Sequence, residues 1–142
     1  MSQSKLIYFI DDDIEDLQLM QEISSSFGHH SKTFRSGEEL SAAIKTGLPV
    51  PDLFFIDVVM PMIDGYEILS ILKANPKYAA SPILVHSAKC DPECVSKCYQ
   101  MGANYFLRKA FSFQGLKSTI EHALSKDWST FKAGREDFLF QY

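Results

Sequence analysis

Short apolar segments alternate with amphipathic ones along most of the chain, and this alternation constrains the fold more than any other feature. Two segments, Leu53–Ile56 and residues 82–85, are apolar at every position, which is typical of strands covered on both faces. Between such segments, apolar residues recur every three or four positions, as on one face of a helix. Five strand-then-helix units fit this pattern. Right-handed crossovers between parallel strands then predict an α/β fold with helices on both faces of the sheet.

The other elements are indicated by the residues at their ends. The first strand, Leu6–Ile10, stops at three aspartates, and the second, at residues 33–34, is polar and expected at a sheet edge. Ser36 and Glu39 have the spacing of a capping box and predict the start of a helix. The fifth strand is predicted at residues 104–107. The first helix is expected to bury one face, formed by Ile14, Leu17, Met20, Ile23 and Phe27.

Composition and charge exclude several classes of protein. The chain has 142 residues, of which 46% are hydrophobic, and this is enough for one domain with a sizeable core. Its net charge of −4 provides no basic field for a phosphate backbone, so we expect no direct nucleic-acid ligand. No apolar segment approaches the roughly 20 residues that span a bilayer, so we expect no membrane insertion. Three cysteines do not imply a disulfide framework, and a cytoplasmic location is expected.

Four of the predicted strands lead into a charged or hydroxyl side chain. In a doubly wound sheet the carboxyl ends of the strands share one rim, where ligands bind. Carboxylates gathered there repel one another unless a cation offsets their charge, and Mg²⁺ suits such a site. A carboxylate beside Mg²⁺, a lysine and a hydroxyl is equipped to accept a phosphoryl group. The side chains concerned are Asp11, Asp12, Asp13, Asp57, Ser87 and Lys109.

One longer motif extends this pattern to a known family. The segment from Asp57 to Gly65 reads Asp-Val-Val-Met-Pro-Met-Ile-Asp-Gly. Together with the acidic cluster, it resembles the receiver domain of two-component response regulators, in particular the stand-alone chemotaxis type. The remaining matching residues are Ser87 with Ala88, Gly102 with Ala103, and Lys109.

The resemblance implies a fold and a division of the chain. The fold would be flavodoxin-like, a (βα)5 unit whose five-stranded parallel sheet has the order 2-1-3-4-5 and carries helices on both faces. Residues 1–126 would form the receiver domain, and residues 127–142 would be an aromatic-rich C-terminal extension.

The resemblance also implies a role for each residue of the site. Asp57 would be the phosphoacceptor. Asp12 would bind Mg²⁺ directly and Asp11 through water, and Asp57 itself and the backbone carbonyl of Val59 would be further ligands. Lys109 would neutralise the oxygens of the phosphoryl group. Asp13, by contrast, is expected to cap the first helix.

Ser87 and Phe106 would form the pair that switches the domain. The hydroxyl would move to the phosphoryl group, and the aromatic ring would fill the space it leaves. The changed surface is expected on the fourth helix, fifth strand and fifth helix, where a homodimer is also expected. The domain would receive its phosphoryl group from a histidine kinase or phosphotransfer protein and contact a downstream protein target. It would not be a metabolic enzyme, although slow hydrolysis of its own aspartyl phosphate is expected.

Three other interpretations stay open. The chain is a receiver-like interaction module that works without phosphorylation if Ala110, which stands where the family usually has proline, disturbs the site. A haloacid-dehalogenase-type phosphatase would need threonine or valine where Glu15 follows the aspartates, and it leaves Asp57 to Gly65 unexplained. A flavin carrier would need a hydroxyl-rich and glycine-rich phosphate loop in place of the aspartates.

The three cysteines form a regular series. Cys90, Cys94 and Cys98 are four positions apart and are expected to form a stripe along the fourth helix, which Asp91 and Pro92 are predicted to begin. Three thiols could hold a metal or sense oxidants. A straight helix would separate the first from the last by about 12 Å, too far for one metal ion. We therefore interpret them as small residues on a helix face.

The segment after Asp127 lies beyond the family pattern and is too aromatic for a free polar tail. We expect it to pack against the surface of the domain itself, the alternative being contact with a partner or a second copy. Its aromatic residues are Trp128, Phe131, Phe138, Phe140 and Tyr142.

Overall fold

The computed structural model describes residues 4–59, 65–131 and 133–140. The strands are β1 (Leu6–Ile10), β2 (His30–Phe34), β3 (Leu53–Ile56), β4 (Ile83–Ser87), β5 (Tyr105–Arg108) and β6 (Leu139–Phe140). The helices are α1 (Ile14–Ser26), α2 (Gly37–Lys45), α3 (Gly65–Ala74), α4 (Pro92–Gln100) and α5 (Phe113–Leu124). None of these helices is both long and apolar enough to cross a bilayer.

The strands form one sheet in the order β2-β1-β3-β4-β5-β6, and every pairing is parallel. One face of the sheet packs against α2, α3 and α4, with Phe54 and Phe106 in that layer. The other face packs against α1 and α5, with Phe55 and Leu107 in that layer. Because β3 and β4 are covered on both sides, all of β3 and the first three residues of β4 are apolar without alternation. The predicted α/β doubly wound fold is therefore confirmed.

The predicted helix starts are confirmed where the structure describes them. The Asp13 carboxylate accepts the backbone N–H groups of Glu15 and Asp16 at 3.0 and 3.2 Å, so it caps α1 as expected. The Ser36 hydroxyl accepts the N–H of Glu39 at 3.1 Å. One detail of the predicted apolar face is wrong, because Ile14 is 44% exposed. It is the first residue of α1, beyond the rim of the sheet.

The sheet has six strands rather than the five expected, because the C-terminal segment adds β6. β6 pairs with the outer side of β5, and Phe106 lies opposite Leu139 in the register. The Phe106 N–H also donates to the carbonyl of Phe138 at 2.9 Å. Phe138 is buried, and its ring lies 5.2 Å from that of Tyr99 on α4. The segment thus extends the sheet by one short strand.

On the other face of the sheet, the same segment packs against α5. Trp128 donates from its ring nitrogen to the Ala123 carbonyl at 2.9 Å, and its ring contacts that of Tyr105. The rings of Phe140 and His122 are stacked with their centres 3.8 Å apart. The expectation that the segment packs on its own domain is confirmed for the residues described, and Tyr142 lies outside them.

The interpretation of the cysteines is wrong in two respects. Cys90 does not lie on α4 but in the turn before Asp91, the residue that caps it. The sulfur atoms of Cys90, Cys94 and Cys98 therefore all come within 4.8 Å of one another. In addition, Cys90 and Cys94 are joined by a disulfide, with their Cα atoms 5.3 Å apart, while Cys98 is a buried free thiol.

Candidate functional site

The carboxyl ends of β1, β3 and β4 and the residue after β5 meet around one open cavity of about 590 Å³. The backbone brings them into register, because the Asp57 N–H donates to the Ile10 carbonyl and the Lys109 N–H donates to the Ser87 carbonyl, both at 3.0 Å. Each of these bonds continues the pairing of two strands by one residue. The residues at the strand ends therefore meet, as the sequence predicted. The lining includes Asp12, Asp57, Val59, Ser87 and Lys109.

Lys109 is the electrostatic centre of this cavity. Its ammonium nitrogen lies 2.7 Å from a carboxylate oxygen of Asp11, 3.2 Å from one of Asp57 and 3.1 Å from one of Asp16. Burial lowers the pKa of Lys109, but Asp57 and Asp11 raise it further, so its pKa lies above the ordinary value. The Lys109–Ala110 bond is trans, and the lysine contacts the Asp57 carboxylate although Ala110 stands where the family usually has proline.

Asp16 is the one member of this ion-pair cluster that sequence reasoning did not identify. It lies in the first turn of α1, whose N-terminus faces the cavity. Asp16 could have been predicted from the sequence, because the helix that carries it begins directly after the aspartates at the end of β1.

Asp57 is buried and held at both oxygens. One oxygen accepts the Val59 N–H at 2.9 Å, and the other faces Lys109. Burial raises the pKa of Asp57, while Lys109 opposes the rise. This places a carboxylate with little solvent contact next to a fixed positive charge. Such a carboxylate can act as a nucleophile toward an electrophile that the cation also binds.

Asp11 is more buried than Asp57 and its charge is correspondingly costly. One of its oxygens accepts the Asp13 N–H at 3.0 Å, and the other contacts Lys109. Burial nevertheless raises the pKa of Asp11 to about 6, with Lys109 lowering it and Asp57 adding repulsion. The site therefore holds more negative charge than Lys109 neutralises.

The donor set fits a hard divalent cation. Oxygen atoms of Asp11, Asp12 and Asp57 lie within 4.8 Å of one another, and Asp12 is exposed to solvent. Carboxylate oxygens in this number, with room for water, are the ligands that Mg²⁺ prefers. For Val59 the structure shows the N–H bound to Asp57 and a side chain that is 43% exposed. Its carbonyl as a ligand remains a prediction.

Ser87 and Phe106 lie on the same side of the sheet, on adjacent strands. Ser87 is buried at the cavity, and its hydroxyl lies close enough to Asp57 to help lower the pKa of that carboxylate without forming a well-aligned hydrogen bond to any described residue. Phe106 is fully buried, with its ring 6.3 Å from that of Phe138. Tyr105 faces the opposite layer, as alternation predicts, and its hydroxyl is 2.9 Å from a ring nitrogen of His122.

Two other elements of the sequence motifs occupy defined places. His86 faces the layer of the sheet that α1 and α5 cover, where its ring contacts that of Phe55, and burial lowers its pKa to about 3. Gly65 begins α3 so close to β3 that a side chain there would overlap the backbone of Val58. Residues 60–64 of the motif, including Met60, Pro61 and Asp64, lie outside the described part of the chain.

The fold and this site define a receiver domain. Residues 7–121 match the family model of the response regulator receiver domain, and the chain belongs to that family. Receiver domains typically act as phosphoacceptor switches, bind Mg²⁺ at an acidic pocket, and interact with histidine kinases and downstream targets. The cluster of Asp11, Asp12 and Asp57 corresponds to such a pocket.

Among curated relatives, the response regulator Rcp1 of Synechocystis sp. is 26% identical over 124 residues, which cover 82% of this chain and 84% of Rcp1. The DNA-binding transcriptional regulator NtrC of Salmonella typhimurium is 27% identical over 123 residues, or 87% of this chain. A probable cyclic di-GMP phosphodiesterase of Vibrio cholerae is 28% identical over 134 residues, or 94% of this chain. The chain spans 25% of the NtrC protein and 30% of the phosphodiesterase.

Solved structures show the same fold. The Mn²⁺-bound form of Rcp1 superposes with a TM-score of 0.78 at 24% identity, covering 92% of this chain and 99% of that one. The chemotaxis response regulator CheY4 of Vibrio cholerae gives 0.72 at 24% identity, covering 84% and 98%. The phosphorylated cyanobacterial phytochrome response regulator RcpA gives 0.78 at 25% identity, covering 90% and 96%.

Proposed function

We propose that this receiver domain is switched by phosphorylation of Asp57 in a Mg²⁺-dependent reaction and signals through protein–protein contacts. One observation carries the proposal. The buried Asp57 carboxylate lies 3.2 Å from the Lys109 ammonium, and one of its oxygens lies within 4.8 Å of one oxygen each of Asp11 and Asp12. This arrangement supports a role for Asp57 as the nucleophile, with Lys109 as a fixed cation beside it and the neighbouring carboxylates as ligands for Mg²⁺.

The chemistry follows from what each side chain offers. A carboxylate oxygen of Asp57 attacks the phosphorus atom of the donor. As the new P–O bond forms, the P–N bond of a donor phosphohistidine breaks, and the leaving imidazole takes up a proton. Lys109 stays close to the transferred oxygens, and the Ser87 hydroxyl donates a hydrogen bond to one of them. Bound Mg²⁺ would supply the charge that offsets the phosphoryl oxygens and the carboxylates of Asp11 and Asp12.

The proposal extends to partners and to the organisation of the chain. The donor would be a histidine kinase or phosphotransfer protein in the cytoplasm, and the recipient a downstream protein. Residues 1–126 would be the receiver domain and residues 127–142 an extension that covers the outer side of β5. A homodimer through α4, β5 and α5 would then use the exposed sides of the two helices, because β6 already occupies the free edge of β5.

Intact-mass spectrometry after incubation with Mg²⁺ and acetyl phosphate tests the acceptor. We expect one phosphoryl adduct in the wild type, released by hydroxylamine, and none in Asp57→Ala. Glu22→Gln, which removes an exposed carboxylate on α1, is the matched control and should behave as the wild type does. A protein that binds Mg²⁺ but takes no adduct from several donors would instead be a module that works without phosphorylation.

The phosphorylated form is expected to be long-lived. Val59 borders the cavity with an apolar side chain that is 43% exposed, and such a side chain cannot orient an attacking water molecule. Val59→Asn provides an amide there and should accelerate loss of the adduct several-fold. The decay of the adduct over time is followed by mass spectrometry, and an unchanged decay rate would contradict this account.

A further inference from the structure

The Cys90–Cys94 disulfide adjoins the proposed phosphoacceptor site. Ser87, Ala88 and Lys89 line the cavity, and Cys90 is the next residue. The disulfide ties this short loop to the first turn of α4. Only Ala88 and Lys89 separate Ser87 from Cys90, so the disulfide links the loop that follows Ser87 to the fourth helix.

Cys90 is also attached to the strand that carries the site lysine. A guanidinium nitrogen of Arg108, the last residue of β5, donates to the Cys90 carbonyl at 2.6 Å. Lys109 follows directly in the chain. The loop of residues 87–90 is thus held by β4, β5 and α4 together, and the disulfide is the covalent part of that restraint.

The two bonded sulfurs differ from the third one in access. Cys94 is partly exposed, whereas Cys90 and Cys98 are buried. Cys94 also lies in the first turn of α4, where the helix dipole stabilises negative charge. Burial raises the pKa of Cys98 to about 12, so this thiol stays protonated and is a poor attacking group. Reducing agents would therefore reach the disulfide from solvent, at Cys94.

We propose that Cys90 and Cys94 form a site of reversible thiol oxidation whose disulfide restrains the loop of residues 87–90 and slows phosphorylation of Asp57. The proposal rests on the function proposed above. Ser87 must turn its buried hydroxyl toward an incoming phosphoryl group, and a loop fixed at Cys90 opposes that movement. The dithiol form releases the restraint and accepts the phosphoryl group faster.

The redox step balances with ordinary thiol chemistry. In oxidation, a low-molecular-weight disulfide takes two electrons and two protons from the two thiols and becomes two thiols itself. In reduction, the thiolate of an external dithiol attacks the sulfur of Cys94, the S–S bond breaks, and Cys90 leaves as a thiolate that is then protonated. The second thiol of the reagent resolves the mixed disulfide.

The test compares phosphorylation of the full chain in its two redox states. Protein is oxidised with glutathione disulfide or reduced with dithiothreitol, its free thiols are counted by alkylation and mass spectrometry, and acetyl phosphate with Mg²⁺ is added. We expect the reduced protein to acquire the phosphoryl adduct about fivefold faster or more. Cys94→Ser and Cys90→Ser should lose the dependence on oxidation, while Cys98→Ala should keep it.

Each outcome separates the two proposals. If the reduced wild type takes no adduct, the phosphoacceptor function fails. If both redox states take it at the same rate, the function stands and the redox proposal is overturned. Failure of glutathione disulfide to form the bond overturns it as well. The redox proposal is also overturned if the reduced protein retains one equivalent of Zn²⁺ and this ion prevents oxidation, because the three adjacent sulfurs would then form a metal site.

Discussion

Replacing Asp11 by asparagine should stabilise the metal-free protein at pH 8, although the change removes the 2.7 Å ion pair with Lys109. The Asp11 pKa is raised from 3.8 to about 6, with burial as the largest cause. At about 1.4 kcal/mol per pKa unit, the folded state pays about 3 kcal/mol to keep this carboxylate ionised. Asparagine carries no charge, and its side-chain oxygen can still accept the N–H of Asp13.

The size of this effect depends on pH in a defined direction. Between the ordinary pKa of 3.8 and the folded value of about 6, the folded protein binds more protons than the unfolded chain. The stability of the wild type therefore falls as the pH rises through that range. The advantage of Asp11→Asn should be complete above about pH 6 and disappear toward pH 4, where the carboxyl group is protonated in both states.

Urea unfolding in EDTA measures the difference. The single tryptophan, Trp128, packs against Tyr105 and provides a fluorescence signal. Glu22→Gln is again the control and should match the wild type at every pH. The reasoning is refuted if Asp11→Asn is less stable than the wild type at pH 8, or if their difference is the same at pH 8 and pH 4. Saturating Mg²⁺ should stabilise the wild type more than the variant, because only the wild type retains the full ligand set.

Three further predictions test the packing by urea unfolding or thermal melting. Phe138→Ala removes a buried ring beneath β6 and should lower the free energy of unfolding by about 3–5 kcal/mol. The control Phe111→Ala changes a ring that is 96% exposed and should alter that free energy by less than about 0.5 kcal/mol. Equal losses in the two variants would contradict the docking of the C-terminal segment. Gly65→Ala forces a methyl group into the backbone of Val58 and should lower the melting temperature, and an unchanged melting curve would show that α3 can move away. Ser36→Ala removes the cap of α2 and should cost about 1 kcal/mol, so a neutral result would mean that solvent replaces this bond.

Much of the fold could be predicted from the sequence because its central strands are unusually uniform. Leu53–Ile56 is buried at all four positions, and only a strand covered on both faces requires such a run. The site followed from the same elements, since parallel strands bring their carboxyl ends to one rim. Asp11, Asp57, Ser87 and Lys109 could thus be placed together from their position after strands alone.

The remaining features depend on contacts that no local pattern encodes. β6 has two residues, and its pairing with β5 depends on the burial of Phe138 against α4 rather than on strand propensity. The disulfide is different, because its signal was present. Asp91 and Pro92 indicate where α4 begins, and this leaves Cys90 outside the helix and free to fold back on Cys94. The error was to extend helical spacing one turn past a cap.

The short β6 also affects whether the edge of the sheet can pair with strands of other molecules. An open outer strand with unpaired backbone groups is a template for aggregation, and β5 would present Tyr105, Phe106 and Leu107 at such an edge. At the opposite border, β2 protects itself by polarity, since His30, Ser31 and Lys32 are not buried. The domain thus uses two different devices at its two borders, charged and polar side chains on one and its own C-terminus on the other. Proteolytic removal of the C-terminal segment is therefore expected to make the domain prone to self-association.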